Sequence, residues 1–575
     1  MRHRIPLKDR PLNPVALKQL LDAGQDPVLA ELLARRGIEH LDSLDPSLTR
    51  LPPPGSLLQA EQAFESISQA ILSHQRLLIV GDYDADGATA TAVLMRGLTR
   101  LGAQAQFLVP DRMRMGYGLT PALVSKAAES FGTQPPDWLI TVDNGISSIE
   151  GVRAAQALGI QVLVTDHHLP GPVLPDCLIL NPHQPGCPFP SKHLAGVGVA
   201  FYLVMGVRAW LARKAPEHFQ GDPPRIDDLL GLVALGTVAD LVKLDDTNRR
   251  LVRQGLARIQ RQQAGPGITT LLEVSNRDPS QASAADLGFA LGPRINAAGR
   301  LSDMTLGMRC LITDDPEEAR RLAHQLDQLN QERRQLQADS QDQALLQLSD
   351  LAIESGPSDR YSIVLTHPDW HPGVVGLVAS RIKDRVHRPT LVFAADDAGK
   401  LRGSGRSIPG VHLRDTLEFI HSHHEGLIET FGGHAMAAGL TIAPSAFEAF
   451  AQAFEDAVRQ FCDPDLLEPE LLTDGPLLPA HHHPALAEQI ESMVWGQAFP
   501  TPVFRNRFQV GAQKRLKDRH LKLELRLEGR PQPLEAIWFD GPDQLEGDVE
   551  LAYELGLNRW NGQTRLQLLI RAAAG

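Results

Sequence analysis

From about residue 56 to residue 311, short apolar β runs alternate with helical segments: LLIV at 77–80, WLITV at 138–142, QVLVT at 161–165 and CLIL at 177–180. That rhythm predicts a mostly parallel sheet with covering helices. Residues 1–55 carry short helical patterns and close on the Pro-rich LPPPG of Leu51–Gly55, an N-terminal arm leading into this body. After it, Asp315 as N-cap and Pro316 at the first helical position open a long amphipathic stretch. Ala319, Leu322, Ala323, Leu326 and Leu329 share one face there, so 312–352 reads as a connecting helix exposed over most of its surface.

A second α/β unit over 353–462 begins with YSIVLT and continues through RPTLVFA and the glycine-rich loop RGSGRS. From 463 to 575 the texture changes to alternation. HLKLELRL places Leu at 521, 523, 525 and 527, and DVELAYELGL places apolar residues at 549, 551, 553, 555 and 557. With 507–516, 534–539 and 565–571 this predicts about five antiparallel strands and a small barrel of the OB type. The fold class is α/β multidomain: a mostly parallel-sheet domain, a long helix, a second α/β domain and a C-terminal β-barrel.

A chain of 575 residues, 43% hydrophobic and 22% charged, has the balance of a globular protein of three or four units. Its start lacks the apolar core of a signal peptide, and the longest apolar stretch, Leu194 to Val207, is 14 residues, short of a membrane span; it reads as a buried helix. Cys177, Cys187, Cys310 and Cys462 are scattered with no CxxC pair, which disfavours a zinc site or disulfide framework and fits a reducing cytoplasm. The net charge of -13 argues against promiscuous duplex coating. Phe504 to Arg530, however, holds nine Lys or Arg against three acidic residues, which leaves room for a basic path along one face.

The chemistry sits at strand ends. LLIV runs into Gly81-Asp82-Tyr83-Asp84-Ala85-Asp86-Gly87, WLITV into Asp143-Asn144-Gly145 and QVLVT into Asp166-His167-His168. Carboxyl ends of adjacent parallel strands face one crevice. Aspartates at alternating positions repel one another unless a cation sits among them. Asp240 follows LLGLVALGTVA, a run whose helical or strand character its pattern leaves open. Oxygen ligands with one imidazole suit Mn²⁺ or Mg²⁺, and two such ions can drive in-line attack on phosphorus.

GDYDADG, VDNGI, TDHH and GTVAD, in this order, resemble the DHH phosphoesterase superfamily. LGPRINAAGRL at 291–301, LRGSGRSIPG at 401–410 and FGGHAMAAGL at 431–440 narrow the resemblance to its RecJ branch of single-strand-specific exonucleases. The resemblance implies a DHH catalytic domain (56–311), the connecting helix, a DHHA1 substrate-binding domain (353–462) and an OB-fold DNA-binding domain (463–575). It further implies 5′ to 3′ degradation of single-stranded DNA to 5′-mononucleotides in recombination and repair, with two Mn²⁺ or Mg²⁺ ions. By the same resemblance Asp84 and Asp86 are ligands of different metals, Asp143 is the bridge, and His167 and Asp240 are further ligands. Asp82 binds metal or orients its neighbours, Asp166 fixes the adjacent imidazole, and His168 contacts the scissile phosphate or assists the leaving oxygen.

In such enzymes a glycine-rich segment grips the DNA 5′ end. Arg402, Ser404, Arg406 and Ser407 supply it here, with backbone N–H groups beside a forked donor. Arg300 is the arginine expected from the GPRINAAGR segment, with Arg294 its rival. Gly432, Gly433 and His434 resemble the DHHA1 substrate loop. On the barrel, Arg505, Arg507, Lys514, Arg515, Lys517, Arg519 and Lys522 would track the DNA backbone. Trp538 and Trp560 are either stacking platforms or, as preferred, core. His481-His482-His483 precedes Pro484 and reads as a solvated loop. The resemblance also implies helicase and single-strand-binding-protein partners, without a docking site. No membrane partner is expected, and a monomer suffices for threading a strand. Two competing readings are a phosphodiesterase of short oligonucleotides or cyclic dinucleotides, which needs no extended basic path, and a non-catalytic scaffold, which needs no complete acid set.

Overall fold

The apolar runs of the first half become one parallel sheet in a computed structural model that describes residues 4–110, 118–131, 134–350, 360–396, 398–517, 519–560 and 563–575. Two short strands come first, β1 (Arg4–Ile5) and β2 (Leu7–Asp9), and both pair elsewhere. The sheet consists of β3 (Arg76–Gly81), β4 (Gln104–Leu108), β5 (Trp138–Val142), β6 (Gln161–Thr165) and β7 (Leu178–Leu180), in the order β4-β3-β5-β6-β7. Its central strands are buried on both faces, which is why they read as unbroken apolar runs.

Three helices set the site. They are α1 (Ala85–Arg100), α2 (Gly196–Lys214) and α3 (Leu230–Ala239). Most of α2 lies inside the core, as its apolar sequence predicts, although length and composition alone would let it cross a membrane. The run before Asp240 is a helix. It is apolar on every side because it is buried on every side, so no periodicity betrayed it. The later helices are α4 (Gly292–Leu301) and the 35-residue α5 (Pro316–Asp350), tied together by Arg294 on α4 and Asp327 on α5 at 2.8 Å.

The chain divides into two compact units. Residues 12–330 form one, together with 493–501, where Phe499 lies 4.6 Å under the Arg249 guanidinium and the Leu244 amide donates to the Gln497 carbonyl (3.0 Å). The other unit holds a mixed sheet of β8 (Ile363–Thr366), β9 (Thr390–Ala395), β10 (Leu401–Arg406), β11 (Thr430–Gly433) and β12 (Ala437–Ile442), in the order β11-β12-β10-β9-β8. On β9, Val392 and Ala394 pack with α6 (Val375–Val386), while Leu391 and Phe393 pack with α7 (Leu413–His423) and α8 (Phe447–Phe461).

The same unit carries the barrel. After β13 (Leu471–Thr473), which pairs with β2, come β14 (Phe504–Leu516), β15 (His520–Arg526), β16 (Leu534–Trp538), β17 (Asp548–Trp560) and β18 (Gln563–Ala574). They close in the ring β14-β15-β16-β18-β17, and β1 adds to the side of β18. Four of the ring's pairings are antiparallel, but β16 and β18 run parallel, unlike the all-antiparallel expectation. Five strands cannot alternate direction around a closed ring. Leu521, Leu523 and Leu525 point inward as their spacing predicts, each stabilising the core by roughly 1.5–3 kcal/mol.

His482 corrects the solvated-loop expectation. It is fully buried, its Nδ1 bonded to the Leu478 carbonyl (3.1 Å) and its Nε2 to the Tyr553 hydroxyl (2.7 Å). Polar residues beside a proline look like a loop; contact with the barrel decided otherwise. Burial pushes this imidazole down to about 4. Because the folded value lies below the unfolded value of about 6.5, the neutral ring's stabilisation is complete above pH 6.5 and is lost as pH falls toward 4, by roughly 3 kcal/mol. Thermal unfolding of His482→Gln should therefore show a shallower loss of Tm between pH 7 and pH 5 than the unmodified protein, and parallel slopes would contradict this.

Candidate metal centre

Strand register builds the centre. Gly81 pairs with Val142 and Val142 with Thr165, so β3, β5 and β6 end side by side and the next residues, Asp82, Asp143 and Asp166, stand in a row at the carboxyl edge. Asp143 takes a left-handed backbone (φ 61°), which turns the chain back under the edge. Asp84 caps α1, its Oδ1 accepting from the Asp86 and Gly87 amides at 3.0 Å. Asp86, buried in the first turn, accepts from the Gly196 (2.6 Å) and Val197 (2.9 Å) amides at the start of α2. Asp240 closes α3.

The acids converge on His167. Its Nε2 lies 3.1 Å from Asp143 Oδ1, 3.5 Å from Asp240 Oδ2 and 3.9 Å from Asp86 Oδ2. Three groups gather their ligand atoms within 4.8 Å: Asp82, Asp84 and Asp143; Asp86, His167 and Asp240; Asp143, His167 and His168. Asp143 is shared by two of the groups, and Asp84 and Asp86 fall in different ones.

Such packing is costly without a cation. Burial, and then the charge of Asp84, push Asp86 up to about 7. Burial and the Asp86 carboxylate drive both Asp143 and Asp240 well above the carboxylate range. Burial, with His168 behind it, takes His167 down to about 3, so that ring is neutral. A hydrogen bond to the Leu194 backbone orients it, and its buried Nε2 has no hydrogen-bond partner among the described residues. A neutral imidazole nitrogen aimed into carboxylates is a metal donor, and the set of hard oxygens with one nitrogen fits Mn²⁺ or Mg²⁺.

Asp166 was expected to fix the adjacent imidazole, and the ring that it engages is that of His168. Its Oδ1 accepts from the His167 and His168 amides and bonds His168 Nδ1 at 2.8 Å, and its Oδ2 accepts from Ile146 N. It therefore orients His168. Burial opposes the charged His168 ring, but the Asp166 hydrogen bond and charge, with Asp82 and Asp84, outweigh it and raise that pKa. The result is a positioned hydrogen-bond donor beside the acids.

Arg402–Ser407 corrects the loop expectation. Residues 401–406 are β10, paired on both sides with β9 and β12, so their N–H groups belong to the sheet and cannot cradle phosphate. Ser407 is buried, donating its hydroxyl to the Val411 carbonyl (2.7 Å), and Arg402 is paired with Asp396 (3.0 Å). Ser404 and Arg406 remain: they project together, Arg406 Nη1 3.1 Å from Ser404 Oγ, against the first turn of α6, where a Cβ on Gly376 would meet both side chains. A hydroxyl, a guanidinium and a helix N-terminus form an anion-binding set.

The remaining expected contacts divide. Gly433 (φ 142°) is explained by its own hairpin, where a Cβ would strike Ala437 and Ala438, and His434 donates its amide to the Ala437 carbonyl. The Arg294 guanidinium is held by Asp327. Arg300, on the same helix, is half-buried, and a Cβ on its neighbour Gly299 would meet the Tyr83 carbonyl at 2.1 Å. On the barrel, Arg505 is neutralised by Asp9 and Glu550, which raise its pKa. Arg515 is held by Asp543 and the Gly541 and Pro542 carbonyls, Arg519 by Asp540 and Lys522 by Glu535. Arg507, Lys514 and Lys517 are exposed and make no ion pair among the described residues. Trp538 is core, 4% exposed; the Trp560 side chain lies outside the described residues.

Sequence reasoning missed the residues that shape the acids without joining them. Gly196 gives its amide to Asp86, and a Cβ there would lie 2.7 Å from Asp143 Cβ. Asn296 accepts from the Ala85 amide (2.7 Å), tying α4 to the GDYDADG turn. Gly196 carried no signal beyond its place in an apolar, glycine-containing run, and Asn296 none beyond its place inside LGPRINAAGRL.

Three family descriptions match the chain: DHH family, N-terminal domain, over residues 76–237; DHHA1 domain over 359–460; and RecJ OB domain over 473–572. The single-stranded-DNA-specific exonuclease RecJ of Salmonella typhimurium is 46% identical across 96% of both chains, and that of Escherichia coli 44% identical across 99% of both. Among solved structures, RecJ of Thermus thermophilus in complex with Mn²⁺ superposes with a TM-score of 0.83 at 30% identity, covering 100% of this chain and 80% of that one. Its complex with Mg²⁺ gives 0.77 at 28% identity, covering 100% and 78%. Similarity this high along essentially the whole length, over a centre of clustered acids and a donor histidine, means that the chain belongs to the RecJ family.

Proposed function

We propose that this protein is a metal-dependent exonuclease specific for single-stranded DNA, which removes 5′-mononucleotides from the 5′ end in recombination and repair. The observation that carries the reading is the convergence of Asp86, Asp143 and Asp240 on the buried, unbonded Nε2 of His167. Asp82, Asp84, Asp86, Asp143, His167 and Asp240 would hold two ions sharing Asp143. When bound, the ions supply the positive charge that stabilises the phosphorane-like transition state and makes water nucleophilic at neutral pH. The protein does the positioning: the Gly196 and Val197 amides aim Asp86, Asp84 is fixed by the helix it caps, and Asp166 holds His168 as a donor to the scissile phosphate or the leaving oxygen.

Ser404 and Arg406 support the 5′-end preference, as ligands of a terminal phosphate. By the same reading the enzyme works in the cytoplasm as a monomer, with a helicase and single-strand-binding protein as partners. A time course with Mn²⁺ on end-labelled single strands tests polarity. A 5′ label should leave at once as a mononucleotide and a 3′ label should shorten as a ladder, with blunt duplex largely spared; prompt loss of the 3′ label would sink the reading. Arg406→Ala should raise KM for a 5′-phosphorylated strand about 10-fold or more, the worth of one charge-assisted hydrogen bond, and remove its advantage over a 5′-hydroxyl strand. An unchanged preference would remove Arg406 from the grip.

A further inference from the structure

Trp538 is the last residue of β16 and Phe539 the first of the turn that follows it. Trp538 fills the barrel and Phe539 is 54% exposed. The turn presenting Phe539 is held firmly. Asp540 adopts φ 52° and donates its amide to His520 Nδ1 (3.1 Å), while Arg515 clasps the Gly541 and Pro542 carbonyls at 3.0 and 3.1 Å. His520 sets its ring against Phe539, centroids 5.2 Å apart at 77°. One side of the phenyl ring is thus braced, and more than half of the residue stays open to solvent.

Register places cations beside it. On the outer face of the barrel Lys514 pairs across with Lys522 and that with Ile537, and the next row in the same direction runs from Leu516 through His520 toward Phe539. Rows two residues apart on one face lie about 7 Å from each other. Lys514 stands two strands across and one row back on the same face, on the order of 12 Å from the ring by these spacings, and Lys517 lies in the β14–β15 turn just before His520. Single exposed aromatics need no explanation, but one held rigid by a histidine and flanked by uncommitted lysines matches what a single strand asks for: a π-face for a base and cations for its phosphates.

We propose that Phe539, braced by His520, is a nucleobase-stacking platform on the barrel, taking a base of a single strand whose phosphates pass Lys514 and Lys517. The proposal rests on the single-stranded-DNA reading and deepens it. The test is fluorescence anisotropy of the full chain, without divalent metal to prevent cleavage, on an oligothymidylate and on an abasic strand of the same length. Phe539→Ala should weaken oligothymidylate binding about 10-fold, within the range for one stacked base, and leave abasic binding unchanged. Phe539→Trp should restore the difference between the two strands. Lys514→Ala with Lys517→Ala should weaken both strands and reduce the salt dependence. Equal loss on the two strands under Phe539→Ala, or loss on neither, overturns the platform, the latter pointing instead to a protein partner for Phe539. Degradation of single strands by the unmodified chain with Mn²⁺ is scored in parallel; its failure would strike the exonuclease reading and leave the stacking comparison interpretable.

Discussion

Asp143→Asn should stop hydrolysis, with turnover down at least ~10³-fold, while single-strand binding stays within about threefold. Asparagine is the appropriate replacement because Asp143 sits at φ 61°, a conformation that Asn tolerates and alanine resists. The strand edge should then survive while one charge is removed from the carboxylate common to two ligand groups. Losing a shared ligand weakens both sides of an in-line displacement at once, which is why the effect should exceed that of losing Asp240. Rapid-quench turnover and anisotropy on one preparation check it. Turnover within tenfold of the unmodified enzyme would overturn the shared-ligand assignment.

Gly196→Ala should be nearly as damaging, although the residue carries no functional group. The new methyl would lie 2.7 Å from Asp143 Cβ and 2.9 Å from its Oδ1, and its own backbone is anchored through the amide to Asp86. Neither side can yield without moving a ligand. Activity is expected to fall ~10²-fold, the scale that a misplacement near 1 Å brings, and the Mn²⁺ concentration for half-maximal rate should rise at least about 10-fold. Gly198→Ala is the control, since a Cβ there meets only the flexible Leu194 side chain at 3.2 Å. Calorimetric Mn²⁺ titration of the two variants separates the cases: equal affinities would mean that Gly196 serves packing alone.

The acid centre was legible because local order and global topology agree there. A buried parallel strand must be an apolar run, it must end in a turn, and adjacent ends must share an edge, so Asp82, Asp143 and the Asp166-His167 pair could be placed together from spacing and the family resemblance. Asp240 was legible only as a residue, because α3 is buried all round and has no amphipathic signature. Arg402–Ser407 misled for a different reason. Glycines that weaken a strand in isolation are favoured in β10, where a Cβ on Gly403 would enter the Phe393 ring and one on Gly405 would meet Leu391 and Leu413. His482 and Trp538 likewise acquired their settings from partners distant in the chain, Tyr553 and the barrel interior.

Alternation, caps and strand-end chemistry belong to neighbours in sequence, and they were enough to determine the α/β class, the barrel's inward leucines and the strand-end acids Asp82, Asp143 and Asp166, while the family resemblance supplied Asp240 and the ligand set. Tertiary structure alone decided which groups remain available. It spent the Arg402–Ser407 amides on sheet pairing, Arg505 on Asp9 and Glu550, and Asp166 on His168, while it left His167 Nε2 aimed at the acids and Phe539 facing solvent. The physical reason is that a side chain's chemistry depends on desolvation and on the partners brought to it by residues far away in the chain, and composition and spacing encode neither.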